Sequence, residues 1–549
     1  MNKTIPQWIA KMHAGKTGRD HLGLGSVSSD QILPSLSPGI NVLTVHPRYY
    51  SYYTFLLDEF WQRDRPRSKA AWVQFYRPRA FIFSLGANLC NQPEHNEMSK
   101  IVGSDTTESL ANEQHDTYHT TTNYIKSRLG GYGLYYRSVI AELGLIYPGG
   151  PGYPYPVDVP SEQGKKLAAA FRKAVRDTVY YQDYFDMDDT CVPIEVIENY
   201  IHRACLCQLQ VMKAPDRTLL LDAFLHGGTG APSRRATLRL FLDLAEQTQG
   251  YPLDEEVFRQ LLYFGAADNG AIYTPRNAVQ ETHKRWRLYQ AREYYAFALD
   301  ALWYYLCKWG VSQNGDVHPI PLSRLWQHLD TALDISTLTR YLQVSTPNLS
   351  ATSYVSTVLA WLRELVGAEE DTFDLACDLQ APLHEHRLYR LAKENDTAPE
   401  IMVAGMVVLL SLIYLRFGHP MRWHQPEWAI SQMGSEGRLS VASFVRTLRR
   451  RLQGGGLTMR DLTQWLFTDY IILQHQLVAT SKLPDNTFRF RREGDRLRFY
   501  ALPNRLGFQD SRFEALSTTV RELGLSGDFS TPEHSPTPDG MELLTQGDL

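Results

Sequence analysis

The chain has few cysteines, and their spacing along the sequence offers no local metal or redox motif. Cys90, Cys191, Cys205, Cys207, Cys307 and Cys377 include no Cys-x-x-Cys pair. Only Cys205 and Cys207 are close, in an apolar run that reads as helix over 193–214. Scattered cysteines of this kind predict small buried side chains in a reducing cytosol. No basic-then-apolar leader opens the sequence, which points the same way, to a cytoplasmic protein. Long apolar runs are missing too. The longest, 401–415, contains Ser411 and is shorter than the roughly 17–25 residues of a membrane span, so it predicts a buried core helix and no membrane partner. No surplus of positive charge exists: the net charge is −4 over 549 residues, which excludes a uniformly basic coat protein but not local basic faces.

Catalytic motifs are also absent. Ala14-Gly-Lys-Thr17 has Ala10 where a phosphate loop needs glycine, and no buried strand precedes it. Gly227-Gly-Thr-Gly230 follows a helical segment rather than a strand, so it is no dinucleotide fingerprint. Asp186-Met-Asp-Asp189 lacks the glycine and closing glutamate of a calcium loop. No Gly-x-Ser-x-Gly nucleophile turn occurs.

What is present is helical periodicity and aromatic residues. Trp286, Tyr289, Glu293, Tyr294, Phe297, Leu302, Tyr305 and Leu306 recur at three- and four-residue steps within 274–309. Helices are also expected over 110–129, 219–226, 234–247, 440–452, 457–483 and 513–523, against few alternating segments. The fold class is therefore mainly α, multi-domain, with one or two winged-helix-like modules carrying short β-hairpins. The boundaries read as 1–110, an N-terminal arm and aromatic helical region; 111–190, a winged-helix-like module; 191–430, a helical domain; 431–525, a helix plus basic hairpin; and 526–549, a disordered Pro/Ser/Thr-rich acidic tail.

The most informative stretch is 131–171. A helix over 134–146 is closed by Gly144, a Tyr/Gly/Pro-rich turn follows over 147–159, and a second capped helix starts near Ser161. That order is the outline of a winged helix. It recurs where the 457–483 helix is followed by 487–490 and 497–500 around Glu493-Gly494-Asp495, a hairpin turn signal. In the first copy Tyr135, Tyr136 and Arg137 would approach a nucleic-acid groove. In the second, Arg489, Arg491, Arg492, Arg496 and Arg498 would meet DNA or RNA phosphates, with alternation setting Arg489 and Arg491 opposite Phe488 and Phe490. The same outline also serves as a plain protein–protein module, and basic hairpins are common solvated surfaces. Arg outnumbers Lys about threefold, which suits ion-pair networks and phosphate contacts alike.

Three histidine groups stand out. His115-Asp-Thr-Tyr-His119 would set two imidazoles one helical turn apart, a metal-ligand spacing, but a third ligand (His95, Glu94 or Glu97) could join only by folding back. The expectation is therefore no metal and no cofactor. His384-Glu-His386 and His419-Pro-Met-Arg-Trp-His424 read as loop packing. Arg48 follows Pro47 at the start of an aromatic helix, where the helix dipole disfavours a cation, and this predicts an acidic partner within the fold.

Three patches resemble a known group. They are residues 39–61, with Thr44, Arg48 and Tyr49 leading into an aromatic helix; Arg285-Trp-Arg-Leu-Tyr-Gln-Ala-Arg-Glu-Tyr-Tyr-Ala-Phe-Ala-Leu299; and Gln474-His-Gln-Leu-Val-Ala-Thr-Ser-Lys482 before a Phe-rich hairpin. They are similar to large bacterial proteins of defence islands, found beside helicase and phospholipase-D-like nuclease genes. The resemblance implies a bacterial cytosolic setting and partners encoded nearby, and it carries over no catalytic residue. The expected function is a non-enzymatic, DNA-engaging or scaffolding subunit of an anti-phage defence complex. The alternatives are an enzyme whose site is assembled around His115 and His119, and a sensor that binds a phage protein.

Overall fold

A computed structural model describes residues 20–549 apart from 96–97, 114, 212–213, 339–344, 346–347, 367–378, 395–398, 419–436, 484–486 and 501–505. The Ala14–Thr17 fragment, Glu97, Cys377 and the His419–His424 turn lie outside the described residues. The protein is mainly helical, with 62% helix against 6% strand, so strands act only as short pins between helices. Among the described residues they form three small antiparallel sheets. No described helix is long and apolar enough to cross a membrane.

The chain divides into two compact units, and neither is a consecutive block. The first joins Leu33–Phe258, Asn269–His283 and Asp510–Leu549; the second holds Arg259–Asp268 and Lys284–Gln509, with a segment ending at Ile32. Five blocks in sequence order do not describe this arrangement, because the C-terminal segment packs back into the first unit. Periodicity marks the elements but carries no record of such long-range returns.

In the first unit the helix Arg48–Gln62 is buried all round, with Tyr49, Tyr50, Tyr52, Tyr53, Phe55 and Phe60 inside. It lies at the centre of this core and takes Arg48, Asp58 and Glu59 inside with its aromatic residues. Its main neighbour is the helix Glu162–Val175. Tyr52 stacks on Phe83 with centroids 4.0 Å apart. Phe83 lies on the helix Lys69–Leu89, which starts where Ser68 Oγ accepts the Ala71 N–H at 3.2 Å. That helix packs on Ile194–Ala204, and Gly86 permits the close approach: a methyl there would sit 3.0 Å from Ile201 Cβ. Both helices stop four residues or fewer beyond this contact, at Leu89 and Ala204.

Two sequence expectations fail in this unit. The first is the helix over 110–129. The helix Ser104–Glu113 ends early, and Thr117–His119 forms strand β1. The run His115-Asp-Thr-Tyr-His-Thr-Thr-Thr122 is rich in β-branched residues, which favour extended backbone. The second is the disordered tail. Pro538–Gln546 is a helix, started where Thr537 Oγ1 accepts the Gly540 N–H at 3.2 Å and ended by left-handed Gly547. It packs on Ala231–Gln247 and buries Leu543 and Leu544. Composition read the tail as disordered, whereas its cap and stop residues specify a helix.

The 131–171 stretch keeps its expected order. A π-turn at Tyr132–Tyr136 leads into the helix Arg137–Glu142, and Gly144 turns left-handed at φ 72°. Strands β2 (Ile146–Tyr147) and β3 (Val159–Pro160) pair, and Ser161 caps Glu162–Val175. Strand β4 (Cys191–Pro193) pairs with β1.

The second unit is built on the helix Gln280–Ser312, whose residues from 284 on belong to it. Trp286, Tyr289, Tyr294, Phe297, Leu302 and Leu306 are all buried, as their spacing requires. The 401–415 run is a core helix, Glu400–Val407 continued by Val408–Leu415, with residues 401–410 buried. A helical path from Met459 to Ser481 starts at a Thr458–Asp461 capping box and passes through a π-turn. It leads to the hairpin of β6 (Phe490–Glu493) and β7 (Arg496–Phe499), introduced in the chain by β5 (Ile320–Pro321), which pairs with β7.

Candidate functional site

The hairpin register decides which arginines face solvent. Phe490 lies opposite Phe499, Arg491 opposite Arg498, Arg492 opposite Leu497, and Glu493 opposite Arg496. Phe490, Leu497 and Phe499 are buried, so the other face carries Arg491, Glu493, Arg496 and Arg498. Arg491 and Arg496 are exposed, and Arg498 pairs with Glu493 at 3.0 Å. Arg492 sits at the tip on the apolar side and folds back to Gly494 O at 2.8 Å. The hairpin face is thus cationic, though Glu493 reduces its charge.

Arg489 leaves this set. It precedes β6, is buried, donates its backbone N–H to His475 Nε2 at 3.0 Å and accepts the Tyr500 N–H at 2.8 Å. Burial, with the Arg489 charge assisting, holds His21 down to about 3; burial likewise holds His475 down to about 4. Both rings are therefore neutral core groups, and His21 stacks on Trp303 at 4.7 Å. The alternation expected for 488–491 fails because the ladder begins only at Phe490.

Arg137 is also committed internally. Its Nε and Nη2 donate to the two Asp158 oxygens at 2.8 Å each, and Nη2 reaches Gly149 O at 2.7 Å. Asp158 accepts the Gly149 N–H at 2.6 Å and the Tyr132 hydroxyl. This network clamps both ends of the Tyr/Pro/Gly loop, whose Tyr147, Tyr153 and Tyr155 are exposed. Tyr135 is half-buried beside buried Tyr136.

A stronger cationic feature lies on a helix that the sequence analysis marks only as helical. The helix Val441–Leu452 buries Val441, Phe444, Val445 and Leu448 and leaves Arg446, Arg449, Arg450 and Arg451 exposed. Arg451 lies over the Trp465 ring at 4.5 Å. Ser443, Arg446, Thr447, Arg449, Arg450 and Gln453 line one groove. The run Arg449-Arg450-Arg451 is its signal in the sequence.

The histidine pairs do not converge. His119 is on β1 and meets Asp189 at 3.2 Å, while His115 meets Glu113 at 2.9 Å, both exposed. His386 is buried and shares a 2.8 Å contact with Gln260. Arg48 does find its acid: it is fully buried, 3.5 Å from Asp216, and donates to the Cys205 carbonyl.

A different group of potential ligands comes together. The helix expected over 193–214 breaks after Ala204, because Cys205 adopts extended backbone, and Cys205-Leu206-Cys207 forms a turn. Cys90 follows the neighbouring helix, and a 3₁₀ turn at Pro93–His95 brings His95 back. One ligand atom each from Cys90, His95, Cys205 and Cys207 lies within 4.8 Å of all the others. No local spacing motif announces this, because its halves are more than a hundred residues apart. The expectation of no metal rests on His115 and His119 and does not bear on these four residues.

No known protein family, no characterised protein and no solved structure matches this chain.

Proposed function

We propose that the protein is a non-enzymatic scaffold that engages DNA or RNA backbone through the second unit, as a cytoplasmic subunit of a bacterial anti-phage defence complex. The observation that carries the reading is the helix Val441–Leu452, with four exposed arginines among residues 446–451 and hydroxyl and amide groups beside them. Cations near a helix C-terminus also complement its dipole, which accounts for about 0.3–1 kcal/mol each and does not require so dense a cluster. The hairpin arginines Arg491, Arg496 and Arg498 add a second cationic face. Such contacts give affinity and orientation, not sequence choice. The helix–hairpin–helix order around Arg137 supports a winged-helix-like module in the first unit. The defence setting and its nearby helicase or nuclease partners rest on the three resembling patches.

Fluorescence anisotropy with labelled duplex at several salt concentrations tests the reading. Neutralising about four phosphates gives a log–log slope of roughly −3 to −4. Charge reversal at Arg449 and Arg450 weakens binding to all sequences alike while the circular dichroism spectrum stays unchanged. Absence of binding to duplex and single strands at low salt, alone and with the neighbouring gene products, removes the reading.

A further inference from the structure

We propose that Cys90, His95, Cys205 and Cys207 form a closed structural zinc site in the first unit, a role independent of any nucleic-acid contact. Cys90 Sγ lies 3.9 Å from Cys207 Sγ, and Cys205 Sγ lies 3.2 Å from His95 Nδ1. Ligands on a tetrahedral zinc, with Zn–S near 2.3 Å and Zn–N near 2.0 Å, stand about 3.8 Å apart for two sulfurs and about 3.6 Å for sulfur and nitrogen. Those two pairs stand within about 0.4 Å of these separations, and all four ligand atoms lie within 4.8 Å of one another, so the ion draws the widest pair together by no more than about 1 Å.

The donor set selects the metal. Three thiolates and one imidazole are soft to borderline donors suited to zinc, and four protein ligands leave no open position. That argues for a structural centre rather than a catalytic one. Cys205, Cys207 and His95 are buried and Cys90 is half-buried, so one ligand stays within reach of solvent. Gln208 also borders a polar cavity of ≈ 450 Å³, which brings water within one residue of the cluster.

The surroundings are ready for a cation. Two helices end here, and helix C-termini carry partial negative charge. Three thiols packed together cannot all ionise unless a cation lies between them. The Gln208 amide points at Cys207 Sγ at 3.8 Å, and Arg48 holds the Cys205 carbonyl. Groups of this kind fix the orientation of metal ligands. The ion would join the turn after one helix to the turn after the other, which the Gly86–Ile201 contact has already brought together.

The test uses the full chain, purified without added metal. Elemental analysis should find one zinc per chain. Cys90 should resist alkylation as purified and become reactive after chelation, while exposed Cys191, the internal control, reacts in both states. Replacement by Co²⁺ should give the visible bands of a tetrahedral thiolate site. Cys90→Ser and His95→Ala should lose most of the zinc. If either variant fails to fold, the chelation and alkylation experiment on the wild-type chain still decides. Metal-free protein whose melting temperature is unmoved by zinc or chelator overturns the proposal. So does a Cys90–Cys207 disulfide in protein prepared under reducing conditions, or zinc that survives both substitutions.

Discussion

Gly86 and Ile201 touch so closely that a single added methyl at Gly86 would stand 3.0 Å from Ile201 Cβ. Gly86 lies inside a helix, where alanine would ordinarily gain about 1 kcal/mol in propensity. Overpacking a dense interface costs about 1–3 kcal/mol. Ile201 Cγ1 and Ile197 Cγ2 are nearly as close, at 3.1 and 3.2 Å, so two isoleucines of the facing helix would both have to give way. Gly86→Ala is expected to lower stability by up to about 2 kcal/mol in urea unfolding. A stabilised variant would show that the two helices are free to separate.

His46 and Glu522 form a buried pair at 2.8 Å, and the other ring nitrogen meets Ser99 O at 2.7 Å. Burial alone would lower the imidazole pKa, but the carboxylate outweighs it and raises it above 6.5. A histidine raised on folding contributes stability that is complete below its unfolded value and lost as pH rises through the folded value. The first unit should therefore weaken on the alkaline side of about pH 6.5. His21 and His475 in the second unit are lowered, so their contribution falls as pH drops below 6.5 towards about 3 for His21 and about 4 for His475. Unfolding followed by a probe in each unit should show opposite pH trends. Glu522→Gln should cost about 3–5 kcal/mol and flatten the trend of the first unit.

Much of the fold was legible because helical periodicity is a local property. The 284–306 spacing, the 401–415 core run, the Gly144 stop and the Ser161 cap all depend on residues a few positions apart. Arg48 was legible for the same reason: a cation at a helix start needs a partner, although Asp216 could not be named. What was hidden depends on contacts between distant segments. Cys90 and Cys207 meet beyond the ends of two helices that pack closely at Gly86. Arg489 turns inward because the ladder starts only at Phe490, two residues later than alternation suggested. The units interleave because residues after 509 return to the first unit.

The C-terminal segment offers a direct check on that return. Phe529, His534, Leu543 and Leu544 are buried. Fully burying a large apolar side chain contributes about 1.5–3 kcal/mol. Three of them approach the roughly 5–15 kcal/mol of a whole domain. Truncation after Gly527 should yield an insoluble or largely unfolded first unit, and Leu543→Ala should cost about 2–5 kcal/mol. A truncated chain with an unchanged melting temperature would return the tail to disorder.

Arg489 and Arg491 are two residues apart and should behave as opposites. Arg489 is buried next to His21 and His475, and its Nε has no hydrogen-bond partner among the described residues. Arg491 is exposed and makes no side-chain hydrogen bond among them. Removing a buried cation strips packing from its aliphatic stem as well as charge, whereas an exposed one away from such features changes stability by no more than about 0.5 kcal/mol. Arg489→Ala is therefore expected to lower the melting temperature and, in the protein that remains folded, to leave the salt slope of nucleic-acid binding unchanged. Arg491→Ala should leave the melting temperature alone and reduce the magnitude of that slope by about 1 if its guanidinium meets a phosphate. Measuring both quantities on both variants separates the interior role from the surface role. If Arg489→Ala were fully stable yet reduced the slope, the side chain would have to leave the core to reach the ligand, and the division of the hairpin into a buried lead-in and a cationic face would be wrong.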